Sequence, residues 1–188
     1  SCGLGNIIPA KTIKTAMMLR AHCLAQGYSG VSLEAIETLL AHLNANIIPI
    51  VRQYGSIGAS GDLIPLAMIA ASIIGENVDV YYKNSIIKAP QAIQMAGIKN
   101  IKLEIRDGLA MINGTSFMTA IAGLALCKLQ RLFKQMLSTI AMSLESMLVI
   151  NSAYHPLVHK LKNQKGENII NGFLTNFWGD SKLVTDLE

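Results

Sequence analysis

The sequence predicts an all-α fold, a bundle of long helices with one small β-hairpin. Of the 188 residues, 51% are hydrophobic and only 5% are aromatic. Leu, Ile, Ala and Met dominate the apolar residues, and these favour helices over strands. Most apolar segments repeat with helical spacing, and one segment alternates as a strand does. We expect a single partial domain over residues 1–188, which is long enough to bury a core.

Three helices are predicted in the first 75 residues. The first covers residues 9–26 and stops at Gly27, because glycine commonly follows the last helical residue. The second covers residues 33 to about 45, with Ser32 as its N-cap. The third is expected over residues 62–75.

One hairpin and four helices are predicted in the rest of the chain. The segment VDVYYKNSIIKA alternates and turns at residues 83–85, as a β-hairpin does. A short helix follows over residues 90–96, and the longest helical pattern runs from Ser116 to about Ile150 with charges on one face. His155-Pro156 ends it, and two shorter helices follow.

Charge and cysteine content argue against several classes of partner. The net charge of +4 is scattered without a basic run, so we expect no nucleic-acid partner. The odd set Cys2, Cys23 and Cys127 is typical of reduced thiols in a cytoplasmic protein. No apolar run reaches the ~20 residues of a membrane helix and no signal peptide is visible, so no membrane partner is expected.

The chain opens at Ser1 without a methionine and stops at VTDLE without a closing signal. We therefore expect an internal piece of a longer protein, whose N- and C-terminal parts are absent here.

A glycine-rich loop interrupts the helical pattern at QYGSIGASGDLIPLA. It has three alternative interpretations: an ordinary loop with a helix cap, a phosphate cradle, or a backbone that reacts with itself. The phosphate interpretation fits poorly. A dinucleotide fingerprint requires G-x-G-x-x-G after a strand, and a Walker loop requires Gly-Lys-Ser/Thr, whereas Gly61 is followed by Asp62, whose carboxylate repels phosphate.

The tripeptide Ala59-Ser60-Gly61, called the triad below, has the composition that self-reaction needs. In a sharply bent backbone the amide nitrogen of Gly61 can attack the carbonyl carbon of Ala59 and close a five-membered ring. Loss of two waters, one of them carrying the Ser60 hydroxyl, then leaves an exocyclic methylidene. Glycine suits the attacking position because it has no Cβ. A helix beginning near Asp62 would direct its positive end at the ring and increase its electrophilicity.

The motif GSIGASGDLIPLA resembles the signature of the aromatic amino acid lyases, which comprise histidine, phenylalanine and tyrosine ammonia-lyases and related aminomutases. Three further segments resemble other parts of that family in the same order: LRAHCLAQGYSGV, DGLAMINGTS and, more weakly, HPLVHKLKNQKGENIINGF. The resemblance covers nearly the whole chain. It implies a helical bundle in which the triad becomes a 4-methylideneimidazol-5-one group, formed autocatalytically and without a metal.

The resemblance also implies roles for three further residues. Asn113 matches an asparagine near the prosthetic group and the substrate, and Leu63 and Leu109 match positions that line the pocket for the substrate ring. Taken alone, Asn113 would more often be a helix cap, and the two leucines would be core. His155 and His159 lie four apart, but a proline separates them and no third ligand is in range, so no metal is expected.

For the complete protein, the resemblance implies elimination of ammonia from an aromatic L-amino acid (His, Phe or Tyr) by a homotetramer. Two alternatives remain at this point: a 2,3-aminomutase that uses the same group, and a non-catalytic helical scaffold. The family's catalytic tyrosine and its carboxylate-binding arginine match nothing in these 188 residues. We therefore expect the piece alone to be inactive.

Overall fold

The computed structural model describes residues 3–185 and is mostly helical, which confirms the predicted fold class. The chain divides into two compact units, Ser1–Leu124 and Ala125–Glu188. The boundary falls within the longest helix. A single partial domain over residues 1–188 stays a prediction, and Cys2 lies outside the described residues.

The first unit combines helices with two small antiparallel sheets. In chain order its elements are β1 (Leu4–Ile7), α1 (Ala10–Ala25), α2 (Leu33–Ala45), β2 (Ile48–Pro49), β3 (Arg52–Tyr54), α3 (Leu63–Ile73), β4 (Asp79–Tyr82), β5 (Ser85–Lys88), α4 (Ala89–Ala96), α5 (Asp107–Ile112) and the start of α6 (Ser116–Ser146). One sheet pairs β1 with β3, and the other has the strand order β2-β4-β5.

The predicted N-cap of α2 and the predicted turn of the hairpin are both present in the structure. Ser32 caps α2, because its Oγ accepts a hydrogen bond from the Ala35 N–H at 3.2 Å. Lys83 and Asn84 both have positive φ, 46° and 63°, which is the backbone of the tight turn that suits a two-residue hairpin. The helices α1 to α4 and the hairpin therefore confirm the sequence pattern to within about two residues.

Three features of the fold were not predicted from the sequence. The strands β1, β2 and β3 have two to four residues each, too few to show alternation. The six residues of α5 are too few for a helix to form without tertiary contacts. The glycine-rich loop follows the strand β3 instead of helical sequence, although its glycine spacing and Asp62 still differ from a dinucleotide fingerprint.

The core of the first unit joins α1, α2, α3 and α5. These helices contribute a continuous set of side chains that are almost fully buried, and such burial is the main favourable term in folding. Because α3 follows the glycine-rich loop and α5 precedes α6, the same core fixes both segments of the candidate site. The largest members are Ile13, Met17, Leu24, Leu39, Leu66, Ile69, Ile73 and Met111.

The second unit contains the rest of α6, a 3₁₀ turn (Asn151–Tyr154), α7 (Pro156–Lys162) and α8 (Lys165–Trp178). The helix α6 ends four residues before the predicted Ile150. Leu148 adopts a left-handed backbone, φ 56°, and the bonds Leu148 N–H to Glu145 O and Val149 N–H to Leu144 O form a Schellman C-cap. The indole of Trp178 donates to the Ala141 carbonyl at 3.0 Å in the core of this unit.

The histidine pair of the second unit has structural partners. His155 Nδ1 accepts a hydrogen bond from the Leu157 N–H at the start of α7, and His159 Nδ1 bonds to Glu167 Oε1 at 2.7 Å. Within residues 3–185 no group of three or more His, Cys, Asp or Glu side chains is placed to hold a metal ion.

One helical stretch corrects the expectation that no segment reaches membrane length. By length and composition alone, Asp107–Ser146 is long and apolar enough to cross a bilayer. Core helices of soluble proteins pass the same test, and the absence of a membrane partner stays a prediction. Many large apolar side chains of α6 are exposed in the isolated chain, among them Met118, Ile121, Leu126, Leu129, Leu132, Phe133, Met136, Ile140 and Met142.

Candidate active site

The triad lies in a loop, residues 55–62, that connects β3 to α3. Ala59 and Ser60 are exposed, whereas Asp62 immediately after the triad is buried. A cavity of about 290 Å³ opens at this loop, close to the smallest volume of typical small-molecule pockets. It is lined by Gly55, Ser56, Ile57, Ala59, Ser60, Gly61, Leu63 and Ile64.

Asp62 fastens the loop to the first turn of α6. Its Oδ1 accepts a hydrogen bond from Ser56 Oγ at 3.0 Å, and its Oδ2 accepts one from the Met118 N–H at 2.8 Å. Asp62 occupies the N-cap position of α3 but makes no side-chain bond to that helix. Its carboxylate therefore caps α6, whose exposed N–H groups favour a negative charge.

Gly61 is packed against the segment that leads into α6. The N–H of Asp62 donates to the Gly114 carbonyl at 2.8 Å. Gly61 has φ +85°, and a Cβ on it would lie 2.6 Å from the same carbonyl oxygen. Only glycine satisfies both the left-handed backbone and this close approach, so the third residue of the triad cannot carry a side chain.

Arg20 of α1 also packs against Gly114. Its Nη2 donates to the carbonyl oxygens of Ala110 and Asn113, the latter at 2.7 Å. A Cβ on Gly114 would clash with Arg20 Nη1. Arg20 is 6% exposed, and this burial lowers the pKa of its guanidinium, which still stays charged at neutral pH.

Asp107 holds the opposite end of α5. Its carboxylate accepts hydrogen bonds from the N–H and Oγ of Ser32, at 2.7 and 2.8 Å, and from the Glu104 N–H at 2.9 Å. Burial alone would raise the pKa of this carboxyl group, but the three hydrogen bonds to the charged form outweigh it and lower the pKa. The turn before α2 is thereby attached to α5.

The structure brings only some of the predicted site residues together. Leu63 lines the cavity with the triad, whereas Leu109, 53% exposed, and Asn113 are not among the described residues that line it. Asn113 is the C-cap of α5, and its neighbour Gly114 contacts Gly61. The bond that caps the first turn of α6 comes from Asp62, so the alternative role of Asn113 as its helix cap finds no support. The catalytic and binding roles of these residues stay predictions.

Arg20 was not predicted from the sequence as a site component, although its position carries a signal. Positions 13, 17, 20 and 24 of α1 form one buried stripe, and a charged residue within an apolar stripe indicates a buried polar partner. Ser56 carries no comparable signal in the sequence. The cap that Asp62 supplies to α6 carries none either, because Met118 is 56 residues from Asp62.

Comparisons with known proteins indicate one family. A family model described as aromatic amino acid lyase matches residues 1–188. The chain is 38% identical over 167 residues to histidine ammonia-lyase 2 of Fusobacterium nucleatum, covering 89% of this chain and 32% of that protein. It is 35% identical to histidine ammonia-lyase of Myxococcus xanthus, covering 98% and 36%. The chain thus spans about a third of these curated relatives.

Solved structures agree with the fold. The phenylalanine aminomutase of Pantoea agglomerans superposes with a TM-score of 0.91 at 29% identity, over 98% of this chain and 35% of that one.

Proposed function

The chain belongs to the aromatic amino acid lyase family, and on that premise we propose that the complete protein eliminates ammonia from an aromatic L-amino acid. The proposed electrophile is a 4-methylideneimidazol-5-one group made from Ala59-Ser60-Gly61. The observation that carries this proposal is the close packing of Gly61 against Gly114, in a loop where the Ser56 hydroxyl donates a hydrogen bond to the Asp62 carboxylate.

The triad fits the proposed group. Ring closure is favoured by a third residue without a Cβ. A Cβ on Gly61 would collide with the backbone carbonyl oxygen of Gly114. Ala59 and Ser60 have small side chains and are exposed at the cavity, so substrate can reach them. Once formed, the group supplies an electrophile for the amine or the ring of the substrate.

Protein residues around the triad have proposed supporting roles. The N-termini of α3 and α6 meet at Asp62, and their N–H groups stabilise negative charge that develops nearby. Asn113 is proposed to hydrogen-bond near the group and the substrate, since its amide is both donor and acceptor. Leu63 and Leu109 are proposed to contact the aromatic ring of the substrate.

L-Histidine is the substrate that we propose first. The two curated relatives described above are named histidine ammonia-lyases and are 35–38% identical to this chain. Phenylalanine and tyrosine remain the other candidates. A second candidate function is that of an aromatic 2,3-aminomutase, in which the ammonia returns to the β-carbon. The superposition with the phenylalanine aminomutase favours it.

We further propose that the complete protein is a cytoplasmic homotetramer with the amino acid as its ligand and without a metal. The exposed apolar side chains of α6 support association, since an apolar surface of this extent marks an interaction site. The competing hypothesis from another class is a helical scaffold in which the triad never cyclises.

One experiment separates these functions. The complete protein is incubated with L-His, L-Phe and L-Tyr, while urocanate, cinnamate and coumarate are measured by absorbance and β-amino acids by mass spectrometry. Urocanate formation supports a histidine ammonia-lyase, and a β-amino acid product would identify an aminomutase. The triad peptide is weighed in parallel. If the peptide mass shows that no water has been lost and no substrate gives a product, the result would support the helical scaffold in which the triad never cyclises.

A further inference from the structure

We infer that Arg20 is a positioning residue for ring closure of the triad, because its buried guanidinium supports the Asn113-Gly114 backbone against which Gly61 lies. This inference rests on the function proposed above. It concerns how the chain prepares its own electrophile, and Arg20 touches none of the reacting atoms.

The first step is the attachment of Arg20 to α5. Arg20 is the one charged side chain of α1 that is buried. Among residues 3–185 no carboxylate forms an ion pair with it, although a buried charge is costly unless it is paired or hydrogen-bonded. Its partners are carbonyls 90 and 93 residues away, those of Ala110 and Asn113. These lie at the negative end of α5, where a cation is favoured.

The second step is the contact between Arg20 and Gly114. The guanidinium fills the space that a side chain at Gly114 would need. The Gly114 carbonyl also accepts the Asp62 N–H at 2.8 Å and excludes a Cβ from Gly61. A displacement of the Gly114 backbone would therefore move the peptide that joins Gly61 to Asp62.

The third step is the chemistry of closure. A bond forms between the Gly61 nitrogen and the Ala59 carbonyl carbon. One water leaves with the Ala59 oxygen and the amide hydrogens of Gly61 and Ser60. The second leaves with the Ser60 hydroxyl and its Cα hydrogen, so no oxidant is required. The rate of such an intramolecular attack depends steeply on how the two atoms are held, and Arg20 acts by holding the segment beside the attacking residue.

The test compares three variants of the complete protein. Arg20→Met keeps the length of the side chain but removes its donors, and Arg20→Lys keeps the charge without the fork. Ile13→Ala is the matched control, because Ile13 is buried two turns earlier on the same helix and is not bonded to α5. For each variant the fraction of triad that has lost two waters is followed by intact mass and near-ultraviolet absorbance, together with the melting temperature.

We expect ring closure at least about tenfold slower in Arg20→Met, intermediate in Arg20→Lys, and at the wild-type rate in Ile13→Ala at a similar loss of melting temperature. Closure at the wild-type rate in Arg20→Met would overturn the inference. Equal slowing in Ile13→Ala would overturn it too, since stability alone would then be the cause. If Arg20→Met does not fold, Arg20→Lys decides by the same criterion. A wild-type triad that retains both waters would instead overturn the proposed function and this inference with it.

Discussion

The Asp62 carboxylate accepts a hydrogen bond from the backbone N–H of Met118, 56 residues away, at 2.8 Å. The residue after the triad therefore caps a helix other than the one it precedes. Together with the bond from the Asp62 N–H to the Gly114 carbonyl, this contact joins the loop that carries the triad to the segment that begins α6.

Replacing Asp62 by Ala should destabilise the complete protein by about 1–3 kcal/mol, because the Met118 N–H and the Ser56 hydroxyl lose a charged acceptor. Asp62→Asn, which keeps one acceptor oxygen, should cost less. The check is the free energy of unfolding from urea titration. Asp79→Ala is the control, since Asp79 forms an exposed ion pair with Lys88 and such pairs contribute about 0–1 kcal/mol. An equal loss in the Asp62→Ala and Asp79→Ala variants would contradict a capping role.

Ser60→Ala should abolish ammonia release, because only the Ser60 hydroxyl can leave to form the methylidene. Ser60 is exposed, so its free energy of unfolding should change by no more than about 0.5 kcal/mol. Turnover of aromatic amino acids and the mass of the triad peptide are the measurements. Ser85→Ala, at an exposed serine of the hairpin, should behave as wild type. Near-wild-type turnover in Ser60→Ala would refute the proposed electrophile.

Asn113→Ala should slow turnover by about 10²–10³, as loss of a positioned hydrogen-bonding group does. Its side chain is exposed and Asp62 supplies the cap of α6, so the melting temperature should change little. Both quantities are measured on the same variant, with Asn44→Ala at an exposed position of α2 as control. A loss of about 1 kcal/mol in stability with unchanged kinetics would indicate a capping residue instead.

Asp107 should make folding stability depend on pH in the acid range. Its pKa is lowered in the folded protein, so its contribution is fully present above the unfolded value of about 3.9 and is lost as the pH falls through the folded pKa. The difference in unfolding free energy between wild type and Asp107→Asn should therefore be constant near neutrality and shrink below about pH 4. A difference that stays constant or grows on acidification would contradict this assignment.

Local patterns predicted the parts of the fold that local chemistry determines. Ser32 and Gly27 bound their helices, and Lys83-Asn84 forms the turn of the hairpin, because caps and turns depend on a few neighbouring residues. The site needed more. The sequence supplied the triad through its motif, but the Arg20 bonds to the Ala110 and Asn113 carbonyls span 90 and 93 residues, and the Asp62–Met118 bond spans 56. No periodicity encodes such distances.

The last prediction is that the 188-residue chain alone releases no ammonia from His, Phe or Tyr, even if its triad cyclises. Elimination needs a base within hydrogen-bond reach of the substrate, and a substrate carboxylate is best bound by a forked cation. Neither a basic nor a cationic side chain is among the described residues that line the cavity, and Arg20 is already bonded to two carbonyls. The isolated chain and the complete protein are assayed in parallel for urocanate, cinnamate and coumarate. Turnover by the isolated chain within about tenfold of the complete protein, a difference of only about 1.4 kcal/mol in barrier, would mean that the base and the carboxylate site lie within these residues.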